Sequence, residues 1–396
     1  MKWSQIKLRG DTSLWVVFFL LCVISVIAVY STIGLLAESL PNTTPMKMFI
    51  KHAVFVLTGF VGAIVISFVN YRKLTKLGVL CFYLSLVCLV VVLFTADRRW
   101  LPLPIFSFQP SEMAKVFLIL FLARMIVAKK ETLQDNKTFY ELLIPILGTA
   151  LLIAPGNLST AMLVVMASYI TLYFGGVSKK MWWKWLVYGV IGGVALLGVF
   201  YLVGDKIDFM RSGTWGHRLQ AWLHPNPDEL SQENMARMAI ARGGLFGNGI
   251  GTTIHGRLMT QAHNDFIFAI IIEEAGTFAA TIILALYAWF YFRCIRIATS
   301  CPGTFGSVFV AGMGTIILLQ AIINMLVATG VFPVTGQTLP FISHGGSSFL
   351  FLGVGMGLIQ SVAADNKRRE RLAKKQAAEE EALETSEAET VAQPAV

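Results

Sequence analysis

Charged residues are scarce in this sequence, and that scarcity excludes an ordinary soluble protein. Asp, Glu, Lys and Arg make up 14% of the 396 residues, whereas hydrophobic residues make up 56%. The mean hydropathy of +0.67 is typical of a polytopic membrane protein. The apolar segments predict about ten transmembrane helices, at residues 14–36, 49–69, 77–95, 111–128, 142–154, 160–176, 182–204, 266–292, 305–329 and 348–364.

Cysteine is also scarce, and its positions exclude a disulfide scaffold. The five cysteines fall within predicted spans or in one short connection, at Cys22, Cys81, Cys88, Cys294 and Cys301. None lies in the only long polar connection, residues 205–262, so we expect no structural disulfide. The first apolar segment is long enough to be an uncleaved anchor rather than a cleavable signal peptide.

The net charge of +9 is concentrated in short connections, which predicts the orientation of the chain. Basic residues follow every even-numbered span, at Arg72, Lys73, Lys76, Arg124, Lys129, Lys130, Lys179, Lys180, Lys184, Arg293, Arg296, Lys367, Arg368, Arg369 and Arg371. By the positive-inside rule, these connections and both termini are cytoplasmic. We therefore predict an all-α polytopic membrane domain at residues 1–366, with one large extracellular loop at about 205–264 between spans seven and eight. The acidic, Ala-rich tail at 367–396 is expected to be disordered and cytoplasmic.

An acid stands at the extracellular start of span eight, within the motif His-Asn-Asp-Phe-Ile-Phe at residues 263–268. A carboxylate at such a depth loses much of its hydration, so its presence needs a physical reason. One interpretation is structural, because an Asp at a helix start can cap free backbone N–H groups. The other is functional, with Asp265 as a reactive group at the outer membrane surface. Spacing alone leaves both interpretations open.

The extracellular loop carries arginines and the glycine-rich run Arg-Gly-Gly-Leu-Phe-Gly-Asn-Gly-Ile-Gly at residues 242–251. Its spacing matches neither a Walker loop nor a Rossmann fingerprint. The run is either a flexible loop or a loop shaped over a phosphate or sugar ligand. Arginines on this side run against the positive-inside rule, which favours an anionic ligand for Arg218 and Arg242.

Two further segments place polar groups at membrane depth. Before span four, Arg99 is followed by Gln-Pro-Ser-Glu at residues 109–112. Glu112 suits a first helical turn, and Lys115 lies three residues on, where the two side chains can pair. An ion pair just inside a span usually faces a cavity. Residues 332–348 hold two prolines and three glycines, a pattern that predicts a re-entrant segment between spans nine and ten.

These stretches together resemble the SEDS family, the shape, elongation, division and sporulation proteins. Gln-Pro-Ser-Glu at 109–112 looks like the family's motif before span four. Ala-His-Asn-Asp-Phe-Ile-Phe-Ala at 262–269 is similar to its Ala-His-Thr-Asp-Phe-Ile-Phe-Ala. Residues 333–348 are similar to its Pro-Val-Thr-Gly-Thr-Leu-Pro-Phe-Ile-Ser-Tyr-Gly-Gly-Ser-Ser pattern. The resemblance covers nearly the whole chain, and residues 324–346 are closer to the division members. Asn157 and His344 depart from the family's usual Asp and Tyr.

The resemblance implies a peptidoglycan glycosyltransferase that polymerises lipid II at the outer face of the bacterial cytoplasmic membrane during cell division. It implies that Asp265 matches the family's essential acid. It also implies a class B penicillin-binding protein, the transpeptidase, as a partner, together with other membrane proteins of the division complex. We assign substrate binding to Arg99, Gln109, Glu112, Lys115, Arg218, Arg242, His263 and Ser347.

The expected chemistry is general base catalysis, in which the Asp265 carboxylate removes the proton from an acceptor sugar hydroxyl. Arginines would stabilise the charge on the departing lipid pyrophosphate. A divalent cation, Mg²⁺ or Mn²⁺, would be shared with the pyrophosphate, because the sequence has no dedicated set of metal ligands. Two alternatives stay open: a lipid II flippase, and a scaffold for division partners in which Asp265 has no chemical role.

Overall fold

The computed structural model describes residues 8–38, 44–95, 98–102, 107–203, 212–224, 231–259 and 264–391, and these are mainly helical. Among them are α1 (Thr12–Glu38), α2 (Pro45–Phe68), α3 (Tyr71–Val92), α4 (Pro110–Ala128), α5 (Asn136–Ile153), α6 (Leu158–Phe174), α7 (Lys179–Val203), α8 (Ser212–Leu223), α9 (Gln232–Gly243), α10 (Ile267–Thr299), α11 (Thr304–Ala328) and α12 (Gly346–Val391). Each predicted span coincides with one helix, and α8 and α9 lie in the long polar connection. The predicted all-α membrane architecture is confirmed.

Short elements complete the described chain. The strands β1 (Leu101–Pro102) and β2 (Ser107–Phe108) form an antiparallel hairpin just before α4. Single turns of 3₁₀ helix lie at Lys130–Thr132 and His255–Leu258. Of the described helices, α1, α2, α3, α7, α10, α11 and α12 are long and apolar enough to cross a bilayer. Because α4, α5 and α6 have only 19, 18 and 17 residues, the number of ten spans stays a prediction.

The helices α2 and α12 pack with their backbones in contact. A Cβ on Gly353 would lie 2.5 Å from the carbonyl oxygen of Gly59, and a Cβ on Gly59 would lie 2.6 Å from that of Phe349. Small residues let membrane helices approach this closely, and van der Waals packing then holds them together. This contact sets the position of the start of α12, which forms one wall of the site described below.

One end of the bundle is closed by a polar network. The Arg293 guanidinium of α10 donates to the Asp11 carboxylate before α1, with Nε at 3.3 Å. The side-chain amide of Gln360 on α12 donates to the Asp11 carbonyl at 3.1 Å, and Ser361 donates to the Val69 carbonyl at 2.6 Å. Arg293 lowers the pKa of Asp11 against the effect of burial, so the carboxylate stays ionised. The network joins the ends of α1, α2, α10 and α12. The candidate site described below lies at the opposite end of the bundle.

The predicted tail begins within α12. In the structure this helix continues from the bundle to Val391, and its side chains are exposed over Arg371–Glu380. Ala, Glu and Lys are strong helix formers, and the pairs Lys374–Glu370 and Lys375–Glu379 have the i,i+4 spacing that supports a solvated helix. The helix thus continues across residue 366, and the domain boundary there and the disorder of the tail stay predictions.

Candidate functional site

The segment between α11 and α12, residues 329–345, is irregular and largely buried, as the prolines and glycines of the re-entrant prediction require. Such backbone is tolerated at membrane depth only where its polar groups have partners. Side chains of three helices supply them: the carbonyls of Gln337, Thr338, Pro340 and Ile342 accept from Asn324, Gln320, Tyr287 and Ser25. Asn324 also donates to the Asp265 carbonyl at 2.8 Å, so it fixes the irregular segment against the start of α10.

A cavity of about 510 Å³ opens beside this segment. The helices α4, α6, α10 and α12 contribute residues at or next to their N-terminal ends, and α2 contributes Lys51 and Phe55 from its first half. Backbone N–H groups and the positive ends of helix dipoles favour a bound anion at such a convergence. The wall is formed by Lys51, Phe55, Arg99, Trp100, Ser107, Gln109, residues 154–158, Arg218, Asn264, Asp265, Thr335, Gly336, Thr338, residues 344–346 and Ser348. The cavity is therefore polar and largely cationic.

Asp265 carries the carboxylate of the cavity wall and does not cap α10. The N-cap position is Phe266, whose side chain makes no capping hydrogen bond. Burial raises the pKa of Asp265 from its ordinary value, whereas the nearby positive charges of Arg99 and Arg218 act in the opposite direction. An acid with a raised pKa that lines a cavity has the properties of a general base. Asp265 is thus not the N-cap of α10, and the functional interpretation of its carboxylate stays a prediction.

The two guanidiniums are held by the irregular segment. Arg99 donates to the Gly336 carbonyl at 3.3 Å, and Arg218 donates to the Val334 carbonyl at 3.2 Å. Gly336 has φ +66°, and a Cβ there would lie 3.6 Å from Oδ2 of Asp265 and 3.9 Å from an Arg99 nitrogen. This glycine is therefore close to both the carboxylate and the guanidinium, and its backbone conformation is one that other residues rarely adopt. The irregular segment positions both charges.

The structure brings four of the nine predicted site residues to the cavity wall: Arg99, Gln109, Arg218 and Asp265. Ser347 is buried instead, and its hydroxyl accepts the Gln109 N–H at 3.3 Å, so it joins α12 to α4. His263 lies outside the described residues.

Glu112 and Lys115 form the predicted i,i+3 ion pair, with 2.7 Å between Lys115 Nζ and a Glu112 oxygen. The expectation that they line the cavity is wrong, because both side chains are buried behind its wall, 6% and 4% exposed. Lys115 also donates to Gln320 at 2.8 Å, and Gln320 donates to the Thr338 carbonyl at 3.0 Å. Through Gln320, the ion pair is therefore connected to the backbone of the irregular segment and helps to hold it in place.

Arg242 does not reach the cavity either. It forms an ion pair of 2.9 Å with Glu273 on α10, a carboxylate with no exposed surface. The glycine-rich run is packed onto α10 rather than placed over the cavity, since a Cβ on Gly243 would lie 2.0 Å from the Ile272 carbonyl. Its close glycine contacts are thus with protein backbone and not with a ligand.

Sequence comparison decides the family. The family model described as "Cell cycle protein", which represents FtsW, RodA and SpoVE, matches residues 11–368. The chain belongs to this family. The match includes the irregular segment and Asp265, so the predicted SEDS membership is confirmed.

Three curated relatives are similar over most of their length. The probable peptidoglycan glycosyltransferase FtsW of Trichlorobacter lovleyi is 30% identical, covering 86% of this chain and 90% of the relative. Stage V sporulation protein E of Bacillus subtilis is 30% identical, covering 90% and 98%. The peptidoglycan glycosyltransferase MrdB of Escherichia coli is 31% identical, covering 72% and 78%.

Solved structures share the fold. A chain from "Structural coordination of polymerization and crosslinking by a peptidoglycan synthase complex" is 25% identical, with a TM-score of 0.71, covering 91% of this chain and 99% of that one. The rod shape determining protein RodA of Thermus thermophilus is 24% identical, with a TM-score of 0.59, covering 90% and 97%. The second likeness shows the fold alone.

Sequence reasoning missed two basic or titratable residues of the cavity wall. Lys51 lies near the start of α2, and a lysine inside an apolar span was the available signal. His344 was noticed only as a departure from the family's Tyr. Burial and the charge of Lys51 lower the pKa of His344 to about 4, so its ring is neutral near pH 7. Asn157, the other departure, lines the cavity and caps α6 by accepting the Thr160 N–H at 3.1 Å.

Proposed function

We propose that this chain polymerises lipid II into glycan strands and that the cavity around Asp265 is its active site. Family membership and the glycosyltransferase names of its relatives support the activity. The observation that carries the site is a carboxylate in a cavity of about 510 Å³ whose wall also contains Arg99 and Arg218. The volume and the excess of positive charge suit a sugar with a pyrophosphate group better than a neutral substrate.

In the proposed step, a hydroxyl oxygen of the acceptor sugar attacks the anomeric carbon of the donor. The new carbon–oxygen bond forms as the bond from that carbon to the pyrophosphate oxygen breaks, and Asp265 takes the hydroxyl proton. A single displacement of this kind inverts the donor carbon. Its requirement for one base, rather than two carboxylates, agrees with Asp265 as the carboxylate among the described residues of the wall. Burial makes Asp265 more basic, which favours proton transfer near neutral pH.

The cationic residues have the complementary task of binding the leaving pyrophosphate. Guanidiniums make strong, directional hydrogen bonds to phosphate oxygens, and they stabilise charge best where they are already oriented. Arg99 and Arg218 are oriented by carbonyls of the irregular segment, and Lys51 adds a third positive charge to the same wall. We assign pyrophosphate binding to these three residues.

A divalent cation would assist only through ligands that the substrate supplies. Among the described residues, no three His, Cys, Asp or Glu side chains are close enough together to hold a metal ion. Mg²⁺ commonly takes few protein ligands and binds substrate phosphates. We therefore keep Asp265 as the base and place any Mg²⁺ or Mn²⁺ on the pyrophosphate.

The cellular setting is also part of the proposal. We place the chain in the bacterial cytoplasmic membrane, with both termini inside and the cavity facing outward, because basic residues follow the even-numbered spans. We infer a division role at the septum, beside a class B penicillin-binding protein and other division proteins. The relatives named FtsW support the division role over an elongation role of the RodA kind.

A lipid II flippase is the rival function, and it would use the ion pair within span four during transport. The pair instead holds Gln320 behind the cavity wall, in a position that suits support of the irregular segment. A flippase also gives no reason for a carboxylate held beside two guanidiniums. We therefore favour the polymerase.

The test is polymerisation of lipid II by the purified chain in nanodiscs, with and without a class B penicillin-binding protein, read as glycan chains on a gel. Arg218→Gln and Arg242→Gln form a matched pair, because both remove one arginine charge from the same connection. We expect Arg218→Gln to lower polymerisation with unchanged thermal stability. Arg242→Gln should lower stability, since it leaves buried Glu273 without its guanidinium. Lipid II translocation without any polymer, under all conditions, would reject the proposal.

A further inference from the structure

The glycine-rich connection between α9 and α10, residues 243–256, is seated on a break in α10. Gly276 interrupts that helix with φ +79° and ψ 176°. The N–H groups of Thr277 and Phe278 then donate to the carbonyls of Gly244 and Leu245, at 3.0 and 3.1 Å. A Cβ on Gly276 would lie 2.2 Å from the Leu245 carbonyl, so only glycine permits this approach. The connection takes the place of the missing helical turn.

The buried Glu273 side chain of α10 holds the connection in place through hydrogen bonds. Its carboxylate has no exposed surface and accepts from Arg242 and His255, each at 2.9 Å, and from the Ile254 N–H at 3.2 Å. One residue on, Glu274 accepts the Gly251 N–H at 3.1 Å and a hydrogen bond from Ser31 of α1. The backbone of the connection is thus turned toward α10 and α1, and its polar groups are used there.

The apolar side chains of the connection are left on the outside. Leu245, Phe246, Ile250 and Ile254 are 61%, 77%, 64% and 53% exposed. We call these four residues the loop face. Four large exposed hydrophobic side chains within ten residues are unusual for a surface in contact with water, and such a patch marks an interaction surface.

The lengths of α1 and α10 give the depth of the loop face relative to the bilayer. On α1, Ser31 lies twenty residues after Asp11, which at 1.5 Å per residue is about 30 Å. On α10, the uninterrupted helix from Thr277 to Arg293, the partner of Asp11, covers sixteen residues, about 24 Å, and the break and Glu274, the partner of Ser31, lie beyond its start. The hydrocarbon core of a bilayer is about 30 Å thick. If the Asp11–Arg293 pair lies at one boundary of this core, the Ser31–Glu274 pair and the connection seated on it lie at the other.

We propose that the loop face is inserted into the lipid leaflet at the cavity end of the bundle and anchors the connection there. Lipid is favoured over a protein partner because the loop face continues the lipid-facing surface of α10. Phe278, whose N–H bonds to Leu245, is 58% exposed, and Ile282 one turn further is also exposed. Interfacial burial of apolar side chains stabilises such an attachment without any specific contact. The connection then holds the start of α10, and with it Asp265, at a constant depth in the leaflet.

Site-directed spin labelling tests the depth without reference to catalysis. Phe246→Cys and Ile254→Cys, each carrying a nitroxide, are compared in nanodiscs by power saturation with oxygen and with a water-soluble nickel complex. Phe278→Cys is the matched lipid-facing control, and Lys374→Cys on the exposed tail helix is the aqueous control. The wild-type chain, labelled in the same way, supplies the background of its five native cysteines.

We expect the oxygen-to-nickel collision ratio at positions 246 and 254 to match that at 278 and to exceed that at 374. A ratio equal to that at 374 would place the loop face in water and overturn the proposal. Suppressed collisions with both reagents would also overturn it, because protein would then cover the face. Both labelled positions are exposed, so the substitutions leave the folded chain intact, and the two sites check each other.

Discussion

The sharpest prediction concerns Asp265→Asn. Asparagine has nearly the same size as aspartate, and the main-chain carbonyl of residue 265 still accepts from Asn324 at 2.8 Å. No capping bond is lost, since the described N-cap of α10 is Phe266. What is lost is the ability to accept a proton.

The structure predicts how Asp265→Asn changes the polymerisation rate and the thermal stability. Positioned general bases contribute about 10²–10⁴-fold to a rate, so polymerisation should fall by that factor, which corresponds to about 3–5 kcal/mol in the barrier. Stability should not fall. The pKa of Asp265 is raised by burial, which means that the ionised carboxylate is less favourable in the folded protein than in water. A neutral amide removes that cost, so the melting temperature should stay constant or rise.

The assay measures glycan polymer from lipid II and thermal unfolding on the same preparation. Asp365→Asn is the matched control: it makes the same chemical change at an acid that pairs with Arg72 at 3.3 Å, far from the cavity wall. That control should polymerise normally. Retained activity in Asp265→Asn would reject this acid as the base. A large loss of stability in the same variant would assign it a structural role instead.

Three further predictions concern charge and orientation. Arg99→Gln removes a positive charge that opposes the raised pKa of Asp265, the proposed base, so the acid limb of the pH–activity profile should move to higher pH; an unmoved limb would show that this charge does not influence the proposed base. Lys115→Ala leaves Glu112 buried and unpaired and should destabilise by about 3–5 kcal/mol, more than the double alanine variant does, as measured by thermal unfolding; additive effects would contradict this. In intact cells, an impermeant thiol reagent should label Ala241→Cys and not Lys179→Cys; the reverse pattern would invert the topology.

Much of the architecture could be predicted because it depends on local properties of the chain. Each of the ten apolar segments coincides with a helix, since a run of apolar residues must satisfy its backbone within the helix wherever it lies in a bilayer. The re-entrant segment and the pairing of Glu112 with Lys115 could be predicted for the same reason: both follow from residue types at short spacing. At the tail the two local signals disagree: helix propensity agrees with the continuation of α12, whereas the disorder expected from composition stays a prediction.

The sequence by itself determined the membrane class, the family and Asp265 as the candidate acid. Only the tertiary structure decided which charges share a cavity with it. Arg218 and Arg242 are the same residue type in one connection, yet one lines the cavity and the other pairs with Glu273. Lys51 and Lys115 are both lysines inside apolar helices, yet only Lys51 reaches the wall. The physical reason is that these positions depend on carbonyls and carboxylates supplied by segments far away in sequence, such as Val334, which binds Arg218 across more than one hundred residues.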